Sequence, residues 1–177
     1  MVTDTRIDEA GYSAEQHLTE HQYLTFWIDG QLFAIPASDV EQIVGMQQIT
    51  PVPEYPKYAK GIITLRGEII PVIDVRLRFH RNEADYGERT CIIIVSIKEQ
   101  FVGFIVDTVE EVADINDSQI SPPPKVSGDI TNVYLNGVAQ LEGKIILLVD
   151  TERVLNEDEL SVLSTDGEET DEGDNQE

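Results

Sequence analysis

Apolar residues in this chain fall in short runs punctuated by glycine, proline and charged turns, a spacing that predicts strands. Runs at 23–28 and 32–35 flank Asp29-Gly30, a strong hairpin signal. Runs at 92–97 and 101–106 flank a polar Lys98-Glu99-Gln100 turn in the same way. Residues 69–73 and 145–149 are short and rich in β-branched side chains, and glycines bound them, as suits buried strands. Leu65-Arg-Gly67-Glu-Ile69 and Leu141-Glu-Gly143-Lys-Ile145 each place a glycine at a turn between two strands. Helical segments are expected only at 75–79 and at 151–163, where Val154, Leu155, Leu160 and Leu163 form an imperfect apolar face.

These elements repeat. Gly61-Ile-Ile-Thr-Leu-Arg-Gly-Glu-Ile-Ile-Pro-Val-Ile-Asp74 aligns without a gap on Gly137-Val-Ala-Gln-Leu-Glu-Gly-Lys-Ile-Ile-Leu-Leu-Val-Asp150. Upstream, each copy has a hairpin followed by a similar string, Val40-Glu-Gln-Ile43 in the first and Val109-Glu-Glu-Val112 in the second. Prolines follow both, at Pro51 and Pro53 and at Pro122 to Pro124. The pattern is that of a duplicated unit of about 70 residues. Small many-stranded units remove exposed sheet edges by closing on themselves. The expected fold is therefore mainly β: two five-stranded SH3-like or OB-like barrels packed together, with short helices including a C-terminal one.

Composition narrows the partners. The chain has 177 residues and a net charge of −22, which disfavours nucleic acid and anionic membrane surfaces. No apolar run approaches the roughly 20 residues of a membrane-spanning helix, and no secretory signal is visible at the start. The single cysteine, Cys91, excludes an intramolecular disulfide and is compatible with a cytoplasmic location. Polar, acidic residues 1–20 read as a flexible leader, and residues 164–177 as a disordered acidic tail. The folded body is expected at 21–163.

Candidate chemistry is sparse. His17-Leu-Thr-Glu20-His21 matches the H-x-x-E-H string of some zinc peptidases. However, it abuts the first strand, and no second helix is evident to carry a third ligand. Cys91 opens an apolar strand, so a small buried apolar residue is the better reading than a nucleophile. Asp74 and Asp150 end matching strands and are expected to cap the segments that follow. No phosphate loop, nucleophile elbow or Cys-x-x-Cys pair occurs, so no catalytic residue, metal or cofactor is assigned. A module for proline-rich peptides would need an aromatic-lined groove, and the aromatic residues here are scattered.

The copies differ where a cation replaces an anion: Arg66 corresponds to Glu142. In so acidic a chain, Arg66 suits either an internal salt bridge or a bidentate pair with a partner's carboxylate.

The stretch from Gly61 to Arg76, with Leu65-Arg66-Gly67 and Ile-Ile-Pro-Val-Ile-Asp74 within it, closely resembles the central signature of the CheW-like family. The order of hairpins around it agrees over residues 21–163. The resemblance implies two SH3-like barrels about a shared core and a non-enzymatic chemotaxis adaptor. Such an adaptor bridges the cytoplasmic tips of methyl-accepting chemoreceptors and the regulatory domain of the CheA-type histidine kinase. It is a monomer alone and a member of receptor–kinase arrays, without membrane insertion of its own. A parallel pathway controlling pili or another output fits the same family. The resemblance also implies partner-binding roles for Val40, Gln42, Ile43, Gly61, Leu65, Arg66, Gly67, Cys91 and Val109. Two positions depart from the family pattern: Gln42 stands where many members carry glutamate, and Thr64 where asparagine is common. Strand alternation puts Glu41 on the face opposite Gln42, so it is not expected to substitute.

Overall fold

Four hairpins turn on two residues that both have positive φ: Asp29 and Gly30, Arg66 and Gly67, Lys98 and Glu99, Glu142 and Gly143. This is the turn geometry whose twist matches that of the flanking strands, so each pair of runs closes tightly. The computed structural model describes residues 21–124 and 133–164. The strands are β1 (Gln22–Ile28), β2 (Gln31–Pro36), β3 (Val40–Gly45), β4 (Ala59–Leu65), β5 (Glu68–Asp74), β6 (Cys91–Ile97) and β7 (Gln100–Val106). They continue with β8 (Thr108–Asp114), β9 (Ile120–Ser121), β10 (Leu135–Leu141) and β11 (Lys144–Val149). Helix α1 is Val75–Arg78, α2 is Thr151–Val154, and α3 covers 157–164. The expected leader at 1–20 and all but the first residue of the expected tail lie outside the described residues.

The strands form two sheets, ordered β8-β1-β2-β11-β10-β9 and β3-β6-β7-β5-β4. The two orders are equivalent under the repeat, with β1–β2 matching β6–β7, β3 matching β8, and β4–β5 matching β10–β11. Yet neither sheet is one half of the chain. The first-half hairpin β1–β2 pairs with β8 and β11, and the second-half hairpin β6–β7 pairs with β3 and β5. The mainly β fold of two packed subdomains is as expected, but each subdomain is built from both halves, which exchange hairpins. The sheet of six gains its extra strand from two-residue β9, whose counterpart in the other sheet is the single Thr50–Ile62 bridge.

The exchange explains the continuous apolar runs. In β6, Ile93, Val95 and Ile97 face a central cluster shared by both sheets, while Ile92 and Ile94 face a separate outer cluster. In β2, Phe33 and Ile35 face the centre and Leu32 and Ala34 the other outer cluster. Strands buried on both faces need apolar residues at successive positions. Phe26, Phe33, Phe79 and Tyr134 pack in a row through the central cluster at centroid spacings of 5.2–6.2 Å. Arg78 joins the halves: its guanidinium lies 4.5 Å from the ring centre of Tyr58 and 5.2 Å from that of Tyr134. It also donates to both Glu159 oxygens (2.7 and 2.8 Å) and to the Val154 carbonyl (2.7 Å).

Asp74 and Asp150 cap α1 and α2: Asp74 accepts from the Arg76 amide at 2.9 Å and Asp150 from the Glu152 amide at 3.0 Å. The helix expected at 151–163 is broken at Leu155-Asn156. Asn156 starts a new helix: its Oδ1 accepts from the Glu159 amide (2.8 Å), and Glu159 Oε1 accepts from the Asn156 amide (2.9 Å). This reciprocal capping box was legible as Asn-x-x-Glu.

Candidate functional site

Arg66 sits at the β4–β5 turn, exposed, with φ 54°. Seven of the other basic side chains among the described residues hold an acidic partner: Lys60, Arg76, Arg78, Arg81, Lys98, Lys144 and Arg153. Arg66 makes no hydrogen bond or ion pair among the described residues, so the internal salt bridge is not formed. It borders an open groove of about 320 Å3 that crosses the second sheet and is lined by Glu41, Gln42, Leu65, Glu68, Ile70, Ile94 and Phe101.

The register of β3 against β6 jumps from Val40–Val95 to Gln42–Ile94, so Glu41 is the extra residue of a β-bulge. A bulge breaks the alternation of faces, and Glu41 and Gln42 line the same groove. This corrects the expectation that Glu41 points away. A carboxylate therefore stands beside Gln42. The side chains of Glu41, Gln42 and Glu68 also lack hydrogen-bond and ionic partners among the described residues. The groove offers one cation, two carboxylates and an amide on an apolar floor of Leu65, Ile70 and Ile94. Phe101, 36% exposed, is one of its walls.

The other expected site residues are placed differently. Val40, Cys91 and Val109 are half-buried and pack against the central cluster, away from the Arg66 groove. Cys91 pairs with Gly45 and Val106, where the edge of one sheet approaches the other. Burial raises its thiol pKa, and a hydrogen bond from the Val109 backbone pulls the other way. Ile43 is 44% exposed on the edge strand β3, and Val112 is 54% exposed at the matching position of β8. Gly67 completes the Arg66 turn. Gly61 is buried and its role is steric: a Cβ there would stand 2.1 Å from the Thr50 carbonyl oxygen, and φ is +145°. His17 and Glu20 lie outside the described residues, and His21 accepts from the Ile115 amide through its carbonyl (2.8 Å).

The order of strands and the Arg66 turn can now be set beside known proteins. Residues 22–159 match the family model described as CheW-like domain. The chain belongs to the CheW-like domain family. It is 32% identical over 149 residues to the chemotaxis protein CheW of Rhizobium meliloti (strain 1021), covering 83% of this chain and 96% of that one. It is 31% identical over 142 residues to the chemotaxis protein CheW of Klebsiella aerogenes, covering 80% of this chain and 86% of that one. Its fold matches the crystal structure of the scaffolding protein TtCheW from Thermoanaerobacter tengcongensis with a TM-score of 0.73 and 34% identity. That match covers 79% of this chain and 95% of the other. Within the CheW-like fold of this chain, Glu41, Glu68, Ile70, Ile94 and Phe101 were missed as groove residues. The one signal for Glu41 was the shared Val-Glu string of the two halves, which the structure turns into a bulge in each. Among the described residues no helix is long and apolar enough to cross a membrane.

Proposed function

We propose that this chain is a chemotaxis adaptor that couples methyl-accepting chemoreceptors to a CheA-type histidine kinase. The observation that carries the reading, beside family membership, is the Arg66 groove. In it an exposed cation and three polar side chains stay without internal partners on an apolar floor, as a protein-binding surface requires. Arg66 contacts a carboxylate of the kinase regulatory domain, with Gln42 and Leu65 beside it. Val40, Ile43, Cys91 and Val109 serve the receptor tip, a helical hairpin whose apolar side chains meet a half-buried, mostly apolar strip between the edge strands β3 and β8. Gly61 and Gly67 hold the backbone that positions these residues. The adaptor works in the cytoplasm, is a monomer alone, and reaches the membrane only through its receptors.

Calorimetry with the kinase regulatory domain and with a receptor cytoplasmic fragment, both from the source organism, tests this. Binding of both, with Arg66→Ala weakening the kinase arm alone, is the expected result. A folded protein that binds neither overturns it.

A further inference from the structure

Among the described residues, the side chains of Lys57, Arg66 and Arg89 form no hydrogen bond or salt bridge, although the Lys57 charge acts on Glu83. Lys57 and Arg66 lie beside the segments that the last described residues, Leu163 and Ser164, contact. The Leu163 carbonyl accepts from the Tyr55 hydroxyl at 2.7 Å, two residues from Lys57. Ser164 Oγ donates to Gln100 Oε1 at 3.1 Å, and the next residue, Phe101, walls the Arg66 groove. The 13 residues that follow, 165–177, carry seven carboxylates and no cation.

We infer that this acidic C-terminal segment is an internal competitor for Arg66, lowering the affinity of the groove for its partner. The inference rests on the proposed role of that groove. Gln100 and Phe101 point to opposite faces of β7, so a path from Ser164 to the groove requires rounding the end of that strand. Thirteen residues reach up to about 43 Å, well beyond the two strand spacings, about 10 Å, that separate β7 from β4. Tethering holds the carboxylates near Arg66 at an effective concentration in the millimolar range. Glu41 and Glu68 in the groove oppose the approach. The segment has no apolar residue to occupy the groove floor. The contact is therefore a screened, exposed ion pair, weak enough for a partner to displace.

Two variants test it: one ending at Ser164, and one of full length with the seven carboxylates changed to amides. Without any partner, 1H–15N spectra at low salt are expected to show the Gly67 amide and the Arg66 Nε–H shifting in both variants relative to the full chain. About 0.5 M salt should abolish the difference. Shifts confined to residues beside Ser164 overturn the inference and leave the adaptor reading intact. With the kinase regulatory domain, both variants are expected to bind two- to fivefold tighter than the full chain, and the gain should vanish in an Arg66→Gln background. A gain of equal size in that background means general repulsion by the segment and also overturns it.

Discussion

The two sheets carry matching corners, and in only one of them is the bulge glutamate paired. In the first sheet the register of β8 against β1 jumps between Glu111 and Val109, so Glu110 is a bulge residue equivalent to Glu41. Its carboxylate accepts from Trp27 Nε1 (3.1 Å) and pairs with Lys144 Nζ (3.5 Å). The Trp27 hydrogen bond, then Lys144, holds the Glu110 carboxyl below the ordinary range. In the second sheet the residue matching Trp27 is Ser96, and the residue matching Lys144 is Glu68. Glu41 consequently has neither donor, and Arg66, where the first sheet has Glu142, has no acid. One fold with two side-chain sets thus yields a corner whose bulge carboxylate is paired and one whose bulge carboxylate is free among the described residues. Charge without an internal partner is what a surface needs to recognise another protein.

The largest expected effect separates the halves at their matching glycines. Gly61→Ala should cost about 3–4 kcal/mol, since the new Cβ meets backbone in a strained conformation. Gly137→Ala should cost about 1 kcal/mol, because its tightest contact is the Ile120 side chain, at 2.8 Å, which can shift. Urea midpoints measure both, and equal costs would show that β9 and the Thr50 segment are equally rigid.

Binding comes next. Arg66→Ala should weaken binding of the kinase domain about tenfold, about 1.4 kcal/mol, and leave the melting temperature unchanged because no internal hydrogen bond or ion pair is lost. Glu142→Ala should change that affinity less than about twofold. A loss of similar size from both would dissolve the distinction between the corners.

Trp27→Phe should destabilise the fold by about 0.5–1 kcal/mol through the lost indole donor. Ser96→Ala at the matching position should stay within about 0.5 kcal/mol of the parent. Thermal melts of the pair read the difference directly.

Invisible at neutral pH is a dependence at Tyr58, whose hydroxyl burial pushes up to about 12. The folded chain therefore holds this proton where the unfolded chain has released it. The contribution to stability is complete below about pH 10 and declines as the pH rises toward 12. Unfolding midpoints of the parent should fall over that interval, and Tyr58→Phe should remove this part of the fall.

The sequence by itself determined the hairpins, the repeat and the capping aspartates. These depend on residues close together in the chain: glycine or polar residues at the turns, alternating or continuous apolar runs, a carboxylate one residue before a helix. It also singled out Arg66, because the repeat exposed a cation opposite an anion. Only the tertiary structure decided which hairpin joins which sheet, since either pairing satisfies the same apolar pattern and the choice rests on the central cluster that both halves fill. It also decided the facing of Glu41, which a one-residue bulge reverses against simple alternation. That Arg66 stays unpaired was likewise settled in space, because the acids that serve the other cations, Asp150 beside Arg153 apart, come from distant parts of the chain.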